Sequence, residues 1–469
     1  MNRFAEARIR HRFLGRGSLI RWIRGGRQAI VAFDYGRVLT VRGADLAPVI
    51  EDGGSKRTVR LPRNASVPIP QEYGSGDRFV IEAFRLGIVP ERGILDWTFG
   101  RDGELNYLSE WLRDPEEAAL YLFGDYGSGK THLLGALGRR ALDEGWAVAR
   151  VPLDPLDSPP SSPKRVYRSL LRSLRWRENG SDRDAQDLLQ RAMDGGLTEA
   201  ATGHRFLEPF VRAIGNKRDE EAAWRWILGE PADARRLGLP LLHDHTTASN
   251  IYTNLLSCLG WTAATHAGLR GLLLLLDEAE MVTAVHWHRQ LHRGINFIVG
   301  LSRAAQHHDD LRDEAVVRDP ARGVHAGKKS GLIYSGHVPM RYLFEGVRGD
   351  RTTKVLFAVT PTALMRRLVE EHDFDAMDLE PLPHTALDAL FRHFTIHYQR
   401  VYDLKVPRKD LDRIRDALMS DLDEHGIQRR FVKGMVEGLD YRRFHPRRSL
   451  DDLLGVDPFA KAGAFGDLW

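Results

Sequence analysis

The chain has 469 residues, a net charge of +4 and 42% apolar residues, a balance typical of water-soluble proteins. Its longest apolar run, at residues 272–276, is far too short to cross a bilayer, and the single cysteine, Cys258, excludes an intrachain disulfide and a cysteine-based zinc site. The length predicts two or three domains. The N-terminus lacks the apolar core of a secretory signal, so we expect a cytoplasmic protein.

The first 50 residues have the pattern of short strands. QAIVAF and RVLTV alternate in polarity and are separated by glycine turns, which predicts a barrel of about five strands over residues 1–50. Residues 1–75 hold 14 basic and 6 acidic residues, net +8, whereas the other 54 basic and 58 acidic residues give −4. This asymmetry indicates an anionic partner for the basic segment; a surface that only aids solubility is the alternative.

Glycines, aromatic residues and a closing Leu-x-Pro follow one another in this segment at His11, Phe13, Gly15, Gly17, Phe33, Gly36, Leu46 and Pro48. The pattern resembles the SH3/Tudor-like barrels of UvrD-type helicases and CarD-like proteins. That resemblance implies binding of either protein or nucleic acid. Residues 51–76 are rich in glycine, serine and proline, which predicts a linker.

A glycine-rich loop, GDYGSGKT at 124–131, stands between a predicted buried strand at 118–123 and an apolar helix. The spacing G-x-x-x-x-G-K-[ST] in that context predicts a P-loop, in which backbone amides surround the phosphates of ATP. We expect Lys130 to reach the β- and γ-phosphates and the Thr131 hydroxyl to bind Mg²⁺. A glycine turn without a ligand is the alternative. The predicted ATP-binding residues of this segment are Gly124, Asp125, Tyr126, Gly127, Ser128, Gly129, Lys130, Thr131 and His132.

Two acids end the apolar strand GLLLLLDEAE. The carboxyl end of such a strand is where parallel sheets place their ligands, so we predict Asp277 as a Mg²⁺ ligand acting through water. Glu278 would polarise the water that attacks the γ-phosphate. Acids that serve only solubility are the alternative.

Three further segments supply candidates for the same site. VLFAVTPT predicts a strand with Thr360 as the first candidate for contact with the γ-phosphate and Thr362 as the second. In the helical segment QRRFVKGMVEGLD, Arg429 is the first candidate for a phosphate contact and Arg430 the second. FGRDGEL resembles a box of AAA+ and STAND ATPases that packs near adenine, which implies Gly100 and Arg101 there.

From Phe79 to about Asp440, the order of motifs resembles the BrxD-type ATP-binding proteins of bacterial BREX phage-defence systems. The matching residues are Glu82, Ala83, Arg85, Gly87, Val89, Pro90, Gly100, Arg101, Glu104, Leu105, the loop at 124–131, Asp277, Glu278 and Glu280. In the last motif of that family, this chain has Gln428 where proline is expected. The resemblance implies an ATPase that acts on DNA with partners of a defence operon, such as a helicase.

The predicted fold class is α/β, with a P-loop parallel sheet of the ASCE/AAA+ type over residues 77–381 and a helical lid and tail over 382–469. A helical insert is predicted at about 164–260, where RSLLRSLRWR suggests one helix carrying Arg168, Arg172, Arg175 and Arg177. Those arginines could follow a phosphate backbone or form a solvated face.

The predicted function is Mg²⁺-dependent ATP hydrolysis, with nucleic acid, DNA above all, as a partner; a monomer and a homo-oligomer both stay open. A phosphotransferase is a rival, which the paired acids 277 and 278 disfavour. The other rivals are a scaffold that binds ATP with little turnover and a regulator whose barrel contacts a protein such as RNA polymerase.

Overall fold

The structure is a computed structural model, and the chain divides into two units, Met1–Glu72 and Tyr73–Trp469. The structure describes the five strands between residues 8 and 48, and then residues 76–87, 90, 93–216, 218–242, 248–285, 287–336, 340–344, 351–425 and 428–450. Of the predicted linker at 51–76, residues 51–75 therefore lie outside the described residues, and Gly76 begins a helix.

The first unit contains five antiparallel strands, in the order β4-β3-β2-β1-β5. They are β1 Arg8–His11, β2 Gly15–Ile23, β3 Gln28–Phe33, β4 Val38–Arg42 and β5 Leu46–Pro48. The two alternating segments, QAIVAF and VLTVR, thus form adjacent strands of one sheet. The resemblance to SH3/Tudor-like barrels stays a prediction.

A parallel five-stranded sheet forms the centre of the second unit, in the order β15-β6-β14-β10-β7. The strands are β6 Ala119–Phe123, β7 Ala147–Pro152, β10 Leu272–Asp277, β14 Thr353–Val359 and β15 Asp375–Asp378. Strand β14 lies between the strand that leads into the glycine-rich loop and the strand that ends in acids. The predicted α/β class with a parallel sheet is confirmed.

Helices cover both faces of this sheet. The helices from α1 to α11 are α1 Gly76–Leu86, α2 Asp102–Arg113, α3 Lys130–Asp143, α4 Pro163–Ser173, α5 Ala185–Ala192, α6 Thr198–Ala200, α7 Leu207–Ile214, α8 Glu220–Ile227, α9 Ser249–Thr265, α10 His288–Ala305 and α11 Ala363–Glu371. Of these, α2 and α3 lie on one face of the sheet and α4, α9 and α10 on the other. Along β10, Leu273 and Leu275 pack on the side of α2 and α3, whereas Leu272, Leu274 and Leu276 pack on the side of α4 and α9. Burial on both faces explains why this strand is apolar throughout and not alternating.

Three helices follow the sheet, at α12 His384–Tyr402, α13 Arg408–His425 and α14 Gln428–Phe444. They share a second apolar core with α1, through Val80, Ile81 and Phe84, and with Trp97. The helical bundle therefore includes a segment that precedes the glycine-rich loop by some forty residues. The domain boundaries at residues 76 and 381 stay predictions.

The arginine-rich segment RSLLRSLRWR is not one helix, so this prediction is wrong. Helix α4 ends at Ser173, and a hairpin follows with strands β8 Trp176–Glu178 and β9 Ser181–Arg183. Asn179 and Gly180 both have positive φ, the backbone that an Asn-Gly hairpin turn requires. Arg172 pairs with Glu230, and Arg177 pairs with Asp143 and Asp182.

A small antiparallel sheet, absent from the predictions, follows α10. Its strands are β11 Val316–Asp319, β12 Val324–Gly327 and β13 Ile333–Tyr334, in that order. Glu314 is buried beside it and accepts hydrogen bonds from the Ser330 amide at 2.7 Å and the Tyr334 hydroxyl at 2.6 Å. Among the described helices, none combines the length and apolarity needed to cross a membrane.

Candidate nucleotide site

The glycine-rich loop joins the end of β6 to the start of α3. Gly127 and Gly129 have φ of 80° and 95°, a conformation that glycine adopts without strain. A Cβ at Gly124 would stand 2.7 Å from Ser128 Oγ, so the loop has no room for a side chain there. Ser128 Oγ is itself buried and has no hydrogen-bond partner within the described residues. The loop thus offers a buried polar atom and backbone amides to a ligand.

Lys130 is buried at the first position of α3. Its Nζ donates to the carbonyls of Gly124 at 2.6 Å and Asp125 at 3.1 Å, and to Thr360 Oγ1 at 3.3 Å. Burial lowers the pKa of Lys130, while the neighbouring acids, above all Glu280 and Asp277, act to raise it. The ammonium group therefore links the loop to the tip of β14.

Asp277 and Glu278 lie close to this loop. Asp277 ends β10, is 3% exposed, and accepts a hydrogen bond at Oδ1 from the Glu278 amide at 3.1 Å. Glu278 has a φ of 55°, an uncommon left-handed backbone for a non-glycine residue, which sites of function often retain. Burial, followed by the charges of Asp277 and Glu280, raises the pKa of Glu278. A raised pKa makes this carboxylate a stronger base.

Arg150 of β7 is a site residue that the sequence reasoning missed. Its Nη2 donates to the Thr131 carbonyl at 2.9 Å and stands 3.9 Å from Asp277 Oδ2. Its signal in the sequence is a charged residue inside the otherwise apolar strand AVARVP. Because it contacts both segments, Arg150 holds the two predicted Mg²⁺ ligands near each other.

The structure distinguishes between the two threonines after β14. Thr360 lines the cavity, and its amide donates to Glu280 Oε2 at 2.9 Å. Thr362 is instead the N-cap of α11, where its hydroxyl accepts from the Met365 amide at 3.2 Å. Only Thr360 is therefore placed to meet a ligand in this cavity.

The two arginines at the start of α14 also differ. Arg429 lines the cavity, and its Nη1 donates to the hydroxyl of Tyr126, in the glycine-rich loop, at 2.6 Å. Arg430 forms an ion pair with Asp421 at 2.6 Å and does not line the cavity. The position before Arg429, where the family motif has proline, is occupied by Gln428. This residue begins α14 and lines the same cavity.

Arg101 is buried and braces the loop. Its guanidinium donates to the carbonyls of Ser128 at 2.9 Å and Glu380 at 2.8 Å, and it pairs with Glu104. Gly100 does not line the cavity; with a φ of 63°, it lets the chain pass close to Ala386, whose Cβ would be 2.5 Å from an added Cβ. These contacts fix the loop relative to α12.

One cavity of about 400 Å³ connects these groups. Its polar end holds residues 126–132, Asp277, Glu278, Glu280, Thr360 and Arg429, whereas Gly124 and Asp125 do not line it. Its other end is apolar and is formed by Phe84, Trp97, Phe99, Leu382, Leu387, Leu390 and Val432. Phe84 and Trp97 meet edge to face at 5.2 Å. An elongated ligand with an anionic end and an apolar ring matches this division.

The polar end fits a magnesium ion that shares its ligands with phosphate. Thr131 and Asp277 supply a hydroxyl and a carboxylate, and Mg²⁺ in proteins is bound through one or two carboxylates together with substrate phosphates. The described residues contain no group of three or more His, Cys, Asp or Glu side chains that could hold a metal alone. The donor set therefore suits a metal that arrives with a nucleotide.

His132 stabilises the fold in its neutral form. Thr98 Oγ1 donates to the Ile94 carbonyl at 2.8 Å and so accepts from His132 Nε2 at 2.7 Å. Burial, followed by the charges of Arg101 and Arg150, lowers the pKa of His132 to about 4. Because the unfolded chain takes up this proton near pH 6.5, stability is lost as the pH falls from 6.5 through 4.

We expect this loss to reach at most about 3 kcal/mol for His132. Denaturant unfolding of the wild type and His132→Gln at pH values between 7 and 4 measures it, without nucleotide. The variant should have a shallower pH dependence over this range. Parallel curves would mean that His132 does not titrate in this way.

Comparison with known proteins supports a nucleotide site in this part of the chain. Residues 75–195 match the family of the BREX system ATP-binding protein BrxC/D. The matched range includes α1, Arg101, the glycine-rich loop and Arg150. This part of the chain is thus similar to a family of ATP-binding proteins. No curated protein matches the chain.

Solved structures with some similarity include AMPPCP-bound DnaA from Aquifex aeolicus, at 9% identity over 79% of this chain and 68% of that chain, with a TM-score of 0.32. Domain III of DnaA from Thermotoga maritima has 12% identity over 76% and 95%, with a TM-score of 0.29. The HORMA:CdnC:Trip13 complex of E. coli MS115-1 has 12% identity over 75% and 91%, with a TM-score of 0.31. At scores this low, we draw no conclusion on function from them.

Proposed function

We propose that the protein binds ATP and hydrolyses it with Mg²⁺, as an ATPase of the AAA+/STAND type. One observation carries the proposal: a single cavity is lined by the glycine-rich loop, the acids at the end of β10, Thr360 and Arg429. These groups come from four separate parts of the sequence. Their chemistry is complementary to a triphosphate and to the charge that develops during its cleavage.

Each residue has a distinct task in this mechanism. Lys130 and the loop amides stabilise the negative charge of the phosphates. Glu278, whose raised pKa makes it more basic, orients the attacking water and accepts its proton. Thr360 contacts the γ-phosphate, and Arg429 contributes a positive charge from the helical bundle. When bound through Thr131 and Asp277, Mg²⁺ would neutralise charge on the phosphate oxygens.

The apolar end of the cavity would receive the base. Phe84 and Trp97 belong to the apolar core that α12, α13 and α14 share with α1, so a bound base would contact that bundle directly. Binding of ATP and its subsequent hydrolysis would thereby change how the bundle packs against the loop. Such a change is what an ATPase needs to act on a partner.

In the cell, we propose that the protein belongs to the BREX ATP-binding proteins and acts in the cytoplasm in anti-phage defence. The match over residues 75–195 supports this assignment. The partners would be proteins of the same defence operon, such as a helicase, together with DNA and further copies of this chain. The net charge of +8 over residues 1–75 supports a nucleic-acid partner.

Phosphate release by the purified chain tests the proposed activity. With Mg²⁺ and ATP, we expect steady turnover, which a chelator lowers by roughly 100-fold or more because the metal supplies several kcal/mol of charge stabilisation. Excess Mg²⁺ should restore the rate. The assay is repeated with duplex DNA, single-stranded DNA and RNA, at several salt concentrations. A rate that does not respond to removal of the metal would contradict the proposal.

A further inference from the structure

The end of α14 farthest from Arg429 carries exposed arginines and an exposed aromatic ring. Phe444 is 62% exposed, and the turn that follows exposes Arg447 and Arg448. Arg443 and, on α1, Arg78 lie beside the same ring system, as described below. We call Arg78, Arg443, Phe444, Arg447 and Arg448 the Phe444 surface.

Guanidinium groups and rings are layered on this surface. The Arg443 guanidinium carbon is 3.6 Å from the ring centre of Tyr402 and 4.8 Å from that of Phe444. The Arg78 guanidinium carbon is 5.7 Å from the Tyr402 ring centre. Such layers hold the arginines in place without neutralising them. Arg443 is also hydrogen-bonded to Tyr398 and Tyr402. Within the described residues, Arg78, Arg447 and Arg448 are therefore the arginines of this surface that keep donors for an anion.

The surface has an excess of positive charge. Within the part of the chain that the structure describes, no carboxylate forms an ion pair with Arg78, Arg447 or Arg448. The nearest carboxylate to Arg443 is that of Asp440, at 3.9 Å, and Asp440 already pairs with Arg85 and accepts from Tyr398. Among the described residues, Arg78, Arg447 and Arg448 thus leave positive charge for an anionic partner.

Arg442 gives the surface its shape. It pairs with Asp410 at 2.9 Å and donates to the carbonyls of Arg448 at 2.7 Å and Pro446 at 3.2 Å. These bonds hold the turn after α14 to Arg442, which is itself fixed to α13. The side chains of Phe444, Arg447 and Arg448 are thereby presented on a fixed backbone.

We propose that the Phe444 surface binds single-stranded nucleic acid. Unpaired arginines match a phosphate backbone, and an exposed ring beside them offers a stacking partner to an unpaired base. Bases inside a duplex are already stacked and cannot use the ring in this way. The inference rests on the nucleic-acid partner of the proposed function and does not depend on hydrolysis.

The same helix connects this surface to the nucleotide cavity. Arg429 and Phe444 are 15 residues apart on α14, which is about 22 Å along a helix. A movement of α14 that follows changes at Arg429 would therefore also move the Phe444 surface. Helix α14 thereby couples the nucleotide state of the cavity to the affinity of the Phe444 surface for single-stranded nucleic acid.

Fluorescence anisotropy of a labelled dT20 oligonucleotide with the full chain tests the proposal. Phe444→Ala should weaken binding by about 5-fold or more, as expected for loss of one stacked base. Arg447→Glu/Arg448→Glu should weaken it further and lower the slope of log affinity against log salt by about 1 to 2, since two phosphate contacts are lost. Phe444→Tyr, which keeps the ring, should bind as the wild type does.

Arg212→Glu/Arg392→Glu is the matched control, because both side chains are exposed on other helices and the charge change is equal. The control should retain dT20 binding, and all variants should retain affinity for a fluorescent ATP analogue. Wild-type affinity for dT20 in the Phe444-surface variants, or equal weakening in the control, would overturn the proposal. So would a preference for duplex over dT20, or capture of an acidic protein partner by this surface without dT20 binding.

Discussion

Replacing Lys130 with alanine is expected to remove most of the affinity for ATP while the chain stays folded. The Lys130 ammonium donates to two carbonyls of its own loop and to Thr360. Burial lowers the pKa of Lys130, which means that the folded chain holds this charged group at a cost in stability. The positive charge therefore serves the cavity and not the fold. Its removal should weaken ATP binding by roughly 100-fold, because it deletes charge-assisted bonds to phosphate.

Titration with a fluorescent ATP analogue measures the loss, and thermal unfolding shows whether Lys130→Ala is still folded. Lys164→Ala is the matched control: Lys164 also donates to a carbonyl, that of Leu242 at 3.0 Å, but lies on α4 and does not line the cavity. The control should bind ATP normally. Unchanged ATP affinity in Lys130→Ala would refute the assignment of the loop.

Glu278→Gln should separate binding from hydrolysis. Glutamine keeps the shape of Glu278 but cannot accept the proton of the attacking water, so phosphate release should fall by roughly 100-fold or more while ATP still binds. Because the pKa of Glu278 is raised by burial and by Asp277, the wild-type rate should fall on acidification at a pH above that of an ordinary glutamate. The variant should lose this acid limb.

Steady-state phosphate release and ATP binding are measured for both proteins between pH 5 and 8. Glu370→Gln, on the exposed face of α11, is the control and should retain activity. If the wild type and Glu278→Gln both bind ATP and release phosphate equally slowly, the chain is a nucleotide-gated scaffold and not an ATPase. The result therefore decides between two of the functions that the sequence left open, the ATPase and the scaffold.

Most of the secondary-structure elements of the site were predicted from patterns among residues that are neighbours in the sequence. A strand, a glycine loop and a helix are adjacent in the chain, so local spacing sufficed to predict the loop at 124–131. The five leucines before Asp277 likewise predicted a buried strand, because only a strand covered on both faces is apolar throughout. Local pattern failed at RSLLRSLRWR, where the Asn179-Gly180 turn, already visible in the sequence, should have indicated a hairpin.

In two segments the sequence offered a first and a second candidate, and only the structure supplied a physical reason for that order. Thr360 and Thr362 share a strand end, and Arg429 and Arg430 share a helix start, so composition treats each pair alike. Their neighbours separate them: Thr362 caps a helix and Arg430 pairs with Asp421, which leaves Thr360 and Arg429 at the cavity. These neighbours are fixed by packing between distant segments.

By itself, the sequence determined the α/β class, the glycine loop with its lysine, and the acids that end a buried strand. Each of these follows from local backbone preferences and from the period of apolar residues. Only the tertiary structure decided that Arg150 joins Thr131 to Asp277, and that Phe84 and Trp97 close the cavity together with helices some 300 residues further along the chain. Contacts of that kind depend on the order of strands in the sheet and on which helix faces pack together, and neither can be predicted from the residues of one segment.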